Sequence, residues 1–157
     1  NVLGAMHNKG ESPFRAPLHR FWRDKEESNM EKAMDILSRV GLQQHWNLPS
    51  MSLGAAQLKM LEVAKGLASG ARLIILDEPI GGVDPASAEE ILTHVSALKK
   101  EGLTFLVVEH RIDIAAPFAD YVYAMELGSI ISQGTPNQVL NDPKVIEIYL
   151  GKGVGAC

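Results

Sequence analysis

Apolar residues fall along this chain in two different periods. From about Glu26 to Val40, the residues Met30, Ala33, Met34, Leu37 and Val40 recur at the spacing of one helix face. Gly41 follows as a stop signal. Leu58, Leu61, Ala64 and Leu67 repeat that pattern in a second amphipathic helix, predicted from Ser52 to Leu67 with Gly70 just beyond it. Leu73 to Leu76 and Leu103 to Val108 are instead continuous aliphatic or β-branched runs, too short for helices, and each predicts a buried strand. Between them Asp84-Pro85 supplies an N-cap and a first-turn residue, and Ile91, Leu92, Val95 and Leu98 carry a helical period up to Gly102. Strand, helix and strand in that order predict a βαβ unit whose parallel sheet is covered on both faces.

The rest of the chain reads differently. The stretch YVYAMELGSIISQG predicts two antiparallel strands around Leu127-Gly128. Thr135, Pro136 and Gln138 fit a capping box opening one short helix, and Asp142-Pro143 opens another that ends at Leu150-Gly151. Residues 8–25, rich in Pro, Gly, Arg and His without a period, read as a loop or irregular insertion, and QQHWNLPS reads as a linker.

Composition narrows the functional classes. A chain of 157 residues is long enough for one domain with its own core. Its formal net charge of -4 argues against nucleic acid as a partner. Lys9, Arg15, His19, Arg20, Arg23 and Lys25 cluster locally and read as solvated surface. Cys157 is the single cysteine, so no internal disulfide can form, which suits a reducing compartment. No apolar run approaches the ~18 residues of a membrane span. The opening Asn1-Val2-Leu3, without an initiator methionine, reads as a fragment or a processed chain.

Three clusters carry chemistry. LIILDEPIGGVD, Leu73 to Asp84, runs an aliphatic strand into two adjacent carboxylates. Successive strand residues point to opposite sides, so Asp77 and Glu78 can serve different directions at the carboxyl edge where ligands of open α/β sheets bind. One carboxylate can hold Mg²⁺ while the other orients a water for attack on a phosphate; equally, both can cap a loop. In MSLGAAQLKMLEVAKGLA, Met51 to Ala68, Ser52 and Gly54 open a helix whose free N–H groups suit an anion, though Ser52 also fits an ordinary N-cap. In VVEHR, His110 follows a strand, where imidazole can donate to a phosphate oxygen or serve as a surface hydrogen-bonding group. The other histidines, His7, His19, His45 and His94, have no metal-ligand spacing with it, and no G-x-S-x-G occurs.

The order of these clusters resembles the nucleotide-binding subunits of ABC transporters. MSLGA is similar to the signature LSGGQ, LIILDE to the Walker B strand, IGGVD to the D-loop, and His110 to the switch histidine. The likeness continues through FADYVYAMELGSIISQGTPNQVLNDPKVIEIYLG, which looks most like the ATPases that drive branched-chain amino acid import. The resemblance implies an α/β, P-loop NTPase-like partial domain with a mostly parallel sheet core, a helical subdomain, and a C-terminal hairpin plus short helices. A helical signature region would occupy residues 1–68 and the C-terminal part of the ATPase core residues 69–157. By the same resemblance Asp77 holds Mg²⁺, Glu78 is the general base, and His110 contacts the γ-phosphate of ATP. Ser52, Gly54 and Ala55 face ATP held by a second ATPase subunit, and Asp84 lies in the seam between the two. Transmembrane permease subunits are the implied partners, with the chain cytoplasmic on the inner face of the membrane.

The sequence departs from that pattern in several places. Ala55 stands where the signature has glutamine, Leu53 replaces its first glycine, and IGGVD replaces the commoner SALD. No G-x-x-x-x-G-K-[ST] occurs, and the resemblance places the phosphate cradle, the aromatic adenine platform and the Q-loop upstream of Asn1. Without a cradle the expectation is weak MgATP binding, negligible turnover, and a central sheet with an exposed apolar edge. The competing expectation is a truncated, non-catalytic module that docks on a permease or on a complete ATPase subunit.

Overall fold

A computed structural model describes residues 1–6 and 19–150. The chain divides into two compact units, Asn1–His110 and Arg111–Cys157. The expected loop over residues 8–18, Lys9 and Arg15 of the basic cluster, Gly151 and Cys157 all lie outside the described residues.

The first unit begins with helices α1 (Val2–Ala5), α2 (His19–Arg39) and α3 (Ala55–Ala68), with short 3₁₀ turns at Gln43–His45 and Ser50–Ser52. Strand β1 (Leu73–Asp77), helix α4 (Pro85–Lys100) and strand β2 (Thr104–Val108) follow. Helix α2 starts at His19, so residues 19–25 are helical where the missing period predicted loop. Polar helix formers such as Arg, Lys and Glu propagate a helix without an apolar stripe.

Three helices of this unit stop by one device. After α2, Leu42 N–H donates to Leu37 O at 2.7 Å and Gly41 N–H to Ser38 O at 3.1 Å. The same pair of bonds closes α3 at Gly70-Ala71 and α4 at Gly102-Leu103. This is the Schellman motif, in which the residue past the cap takes a left-handed conformation open to glycine; Gly41 has φ 74°. All three glycines are legible in the sequence as stops.

The core of the unit is built from Ala33, Ile36 and Val40 of α2, Met60, Leu61, Val63 and Ala64 of α3, and Ala88, Ile91, Leu92, Val95 and Leu98 of α4. On α4 the predicted stripe is the buried one. On α2 and α3 the predicted Ala33, Val40, Leu61 and Ala64 are buried, Ile36, Met60 and Val63 join them, and Met30 and Leu58 are exposed. Arg39 on α2 pairs with Glu101 just past α4, fixing one helix end against the other.

Strands β1 and β2 pair in parallel with Leu73 opposite Thr104 and Asp77 opposite Val108. Ile74 is buried, and its side chain lies against α3 at Gly66, where an added Cβ would stand 3.2 Å from Ile74 Cδ1. The other face is open: Leu73, Ile75, Leu106 and Val108 are each more than half exposed. The expectation of a sheet covered on both faces is therefore corrected. These residues alternate strictly, so among the described residues of this unit one face of the ladder is packed and the opposite apolar face is exposed.

The second unit holds α5 (Ile112–Ala115), the hairpin β3 (Val122–Glu126) and β4 (Ser129–Gly134), α6 (Pro136–Leu140), and α7 (Pro143–Val145) running into a π-helical turn at Ile146–Leu150. The hairpin is antiparallel and turns at Leu127-Gly128 as the sequence predicts, with a bulge between Ala124 and Met125. Gln138 accepts from Thr135 N–H at 2.9 Å, completing the predicted capping box. Ala124, Val139 and Val145 form the core, with Ile112, Val122 and Ile131 packed around them. Asp142 caps α7 by accepting from Lys144 N–H at 2.9 Å. A hydrogen bond from Ser132 on β4, then the Lys144 amide, hold its carboxyl below the ordinary carboxylate range.

Leu98 is fully buried in the α4 stripe, and truncation there removes contacts that the surrounding helices cannot refill. Leu98→Ala should lower the unfolding free energy by about 2–5 kcal/mol, read from urea denaturation. A loss below about 0.5 kcal/mol, typical of surface substitutions, would show that α4 is not the core of the unit.

Candidate functional site

Asp77 occupies the last ladder position of β1, exposed and on the bare face of the sheet. Glu78 follows with φ 46°, a left-handed conformation uncommon for a residue bearing a side chain. Several contacts hold it there. Its N–H donates to Val108 O at 2.9 Å, extending the ladder by one bond, and its carbonyl accepts from Gly81 N–H at 3.0 Å. Lys59 on α3 donates to the same carbonyl at 3.1 Å. The turn is tight: a Cβ on Gly81 would stand 3.2 Å from Glu78 O and 3.5 Å from its Oε2.

The parallel register brings the end of β2 alongside. His110 Nδ1 lies 3.6 Å from Glu78 Oε1, within ion-pair reach when the imidazole is protonated. Both side chains stay accessible, at 66% for His110 and 59% for Glu78. Solvent can thus reach a carboxylate and an imidazole that face each other at the carboxyl edge of the sheet, a pairing suited to moving a proton from water. Immediately before His110 in sequence is Glu109, whose Oε1 accepts from Ile80 N–H at 2.9 Å. Neither Lys59 nor Glu109 stood out in the sequence. Only the position of Glu109 between a strand and His110 could have marked it.

The second cluster lies at the start of α3. The N-cap is Gly54, and Ala55 is the first helical residue. Ser52, expected to open this helix, instead ends the preceding 3₁₀ turn, so its N-cap assignment is corrected. Pro49 opens that turn, and the extended Leu53 separates it from the helix. Gln57 at the third helical position turns its Oε1 back to Gly54 N–H at 2.9 Å and places its Nε2 3.1 Å from His45 Nε2. The amide that is missing at Ala55 is therefore present two residues further on.

Gly54, Ala55 and Gln57 line a cavity of about 470 Å³ together with Gly82, Asp84 and Ser87. Asp84 caps α4 as predicted: Oδ1 accepts from Ser87 N–H at 3.0 Å and Oδ2 from Ser87 Oγ at 2.6 Å. The Ser87 hydroxyl first, and its amide second, hold the Asp84 carboxyl below its ordinary value. The predicted site residues thus fall into two places. Asp77, Glu78 and His110 gather at the sheet edge, while Gly54, Ala55 and Asp84 share the cavity.

Among the described residues no group of three or more His, Cys, Asp or Glu side chains could hold a metal. A lone accessible Asp77 fits Mg²⁺, which binds through one or two carboxylates with waters and substrate phosphates, and not a metal caged by protein alone.

Residues 129–155 match the family described as a branched-chain amino acid ATP-binding cassette transporter. The chain is 42% identical over 151 residues to the probable branched-chain amino acid transport ATP-binding protein LivG of Archaeoglobus fulgidus, covering 96% of this chain and 58% of that protein. It is 40% identical over 156 residues to the protein of the same name from Methanocaldococcus jannaschii, covering 97% of this chain and 61% of that one. A crystal structure of the ADP conformation of MJ1267, an ATP-binding cassette of an ABC transporter, superposes with a TM-score of 0.75 at 39% identity. That match covers 96% of this chain and 62% of the other. The chain spans about three fifths of the length of the relatives it matches.

The Asp84 cap has a definite pH dependence. Its carboxyl is depressed in the folded state, so the cap stabilises fully above the unfolded carboxylate value and is lost as pH falls through the depressed folded one. Asp84→Ala should lower thermal stability at neutral pH and flatten the acid limb of a melting-temperature profile. An unchanged acid limb would remove Asp84 as the cap.

Proposed function

We propose that this chain, which has the sequence and the fold of an ATP-binding cassette over the segment it spans, works in the ATP-hydrolysing subunit of a membrane transporter. There it couples MgATP hydrolysis to movement of a solute. Branched-chain amino acids are the solute class that the names of its relatives suggest.

One observation carries the reading. Glu78 and His110 meet at 3.6 Å on the carboxyl edge of a parallel ladder whose last position is Asp77. Glu78 accepts the proton of the attacking water, and His110 orients the γ-phosphate and the base. Asp77 provides a carboxylate for Mg²⁺, which when bound neutralises phosphate charge. Gly54 and Ala55 present the amino end of α3 toward nucleotide held by a second subunit, with Gln57 setting the shape of that end. Asp84 rims the same cavity and lies in the seam. Ser52, at the end of the 3₁₀ turn two residues before Gly54, joins Gly54 and Ala55 toward that nucleotide.

The partners of this reading are a second ATPase subunit and transmembrane permease subunits, with residues 1–68 providing the permease contacts. The cassette then sits on the inner face of the membrane. Among the described residues, no helix is long and apolar enough to cross it.

The sequence supplies no G-x-x-x-x-G-K-[ST], and so no lysine and ring of backbone N–H groups to cradle the β- and γ-phosphates. The 157-residue chain by itself should give no measurable heat with MgATP at micromolar concentrations in isothermal titration. A micromolar Kd would overturn that view of the segment. In a complete subunit, Glu78→Gln should cut hydrolysis by about 10²–10⁴-fold, the scale of general-base catalysis, while ATP binding persists. Unchanged turnover would take the base role from Glu78.

A further inference from the structure

We propose that Glu109 is a positioning residue for the Glu78–His110 pair, acting through the backbone amide of Ile80. The proposal deepens the reading above, because the pair matters only where nucleotide meets it.

The argument starts from where the ladder runs out of backbone. The paired register ends at Asp77 and Val108, and one further bond, Glu78 N–H to Val108 O, continues it. The next residue, Pro79, has no N–H. The donor after that, on Ile80, goes to the Glu109 carboxylate at 2.9 Å. A side chain therefore takes over the acceptor role where the backbone of β2 no longer provides it. Ile80 is fully buried, so the Glu109 carboxylate gives its amide an acceptor away from water.

These two anchors bracket Glu78, and they come from consecutive residues, Val108 and Glu109. The next residue is His110. Three successive residues of one segment thus fix both sides of the pair: two grip the turn that carries the carboxylate, and the third presents the imidazole. Glu78 needs such a grip because its φ of 46° lies in a sparsely populated region that persists only when its surroundings over-determine it. Lys59 adds a tie to the Glu78 carbonyl from α3 but does not restrain the far side of the turn. Among the described residues, Glu109 Oε2 is buried and has no hydrogen-bond partner. The Ile80 contact is what its side chain does in this segment.

The test needs no nucleotide. In the 157-residue chain, Glu109→Ala should speed amide hydrogen exchange at Ile80 by roughly tenfold or more, while amides of α4 keep their protection. Glu109→Gln retains an acceptor oxygen and should stay within about threefold of the parent, by the same reasoning. The response of the His110 ring resonances to Glu78→Gln reports the pair directly. That response should survive in the Glu109→Gln background and vanish in Glu109→Ala. Ile80 exchange and the His110 response both unchanged in Glu109→Ala would overturn the proposal. Should Glu109→Ala unfold the chain, Glu109→Gln decides: both signals retained support the role, and loss of either overturns it. In a complete subunit, Glu109→Ala should lower kcat with KM unchanged, and Glu109→Gln should restore it. A subunit that hydrolyses no ATP would defeat the ATPase reading, while the exchange and resonance measurements still judge Glu109.

Discussion

The parallel pairing of β1 with β2 is the constraint on which the first unit depends. A crossover helix must join the strands, and its buried stripe then packs the ladder from one side. The register places Asp77 beside Val108. A shift by one residue would exchange the packed and open faces and carry Glu78 away from His110. Chemistry at the sheet edge and packing under α4 are thus set by the same hydrogen bonds.

Around that edge, stability and reactivity draw on different groups. Ile80, fully buried, secures the turn from below, while Glu78 and His110 stay open to solvent above it. The acidic side chains also divide their work. Asp84 and Asp142 accept from backbone amides at helix starts, and a serine hydroxyl first (Ser87 and Ser132 respectively), then the amide, holds each carboxyl low. Glu109 accepts from a loop amide. Asp77 and Glu78 are left facing outward.

Much of this was legible in the sequence because it rests on local rules. Gly41, Gly70 and Gly102 announce helix ends, Asp84-Pro85 announces a helix start, and the aliphatic runs announce the strands. The failures have physical causes. Ser52 has the chemistry of a cap, yet Pro49 diverts the backbone into a separate 3₁₀ turn, and the helix waits for Gly54. The start of α2 carries no apolar period, so propensity alone had to mark it. The margins of the stripes on α2 and α3 differ, with Ile36, Met60 and Val63 buried and Met30 and Leu58 exposed, because helix-on-helix packing selects the buried face within the same spacing. Glu109 was invisible because its role depends on a contact 29 residues away in sequence.

The bare side of the β1–β2 ladder has a calorimetric consequence. Leu73, Ile75, Leu106 and Val108 already meet water in the native state, so unfolding exposes less new hydrocarbon there than a fully sandwiched ladder would. The heat-capacity change of unfolding scales with newly hydrated apolar area, typically about 12–15 cal/mol/K per residue for globular domains. The exposed face of this ladder adds little to that change. Side chains that are wet in both states contribute neither curvature to stability with temperature nor slope with denaturant.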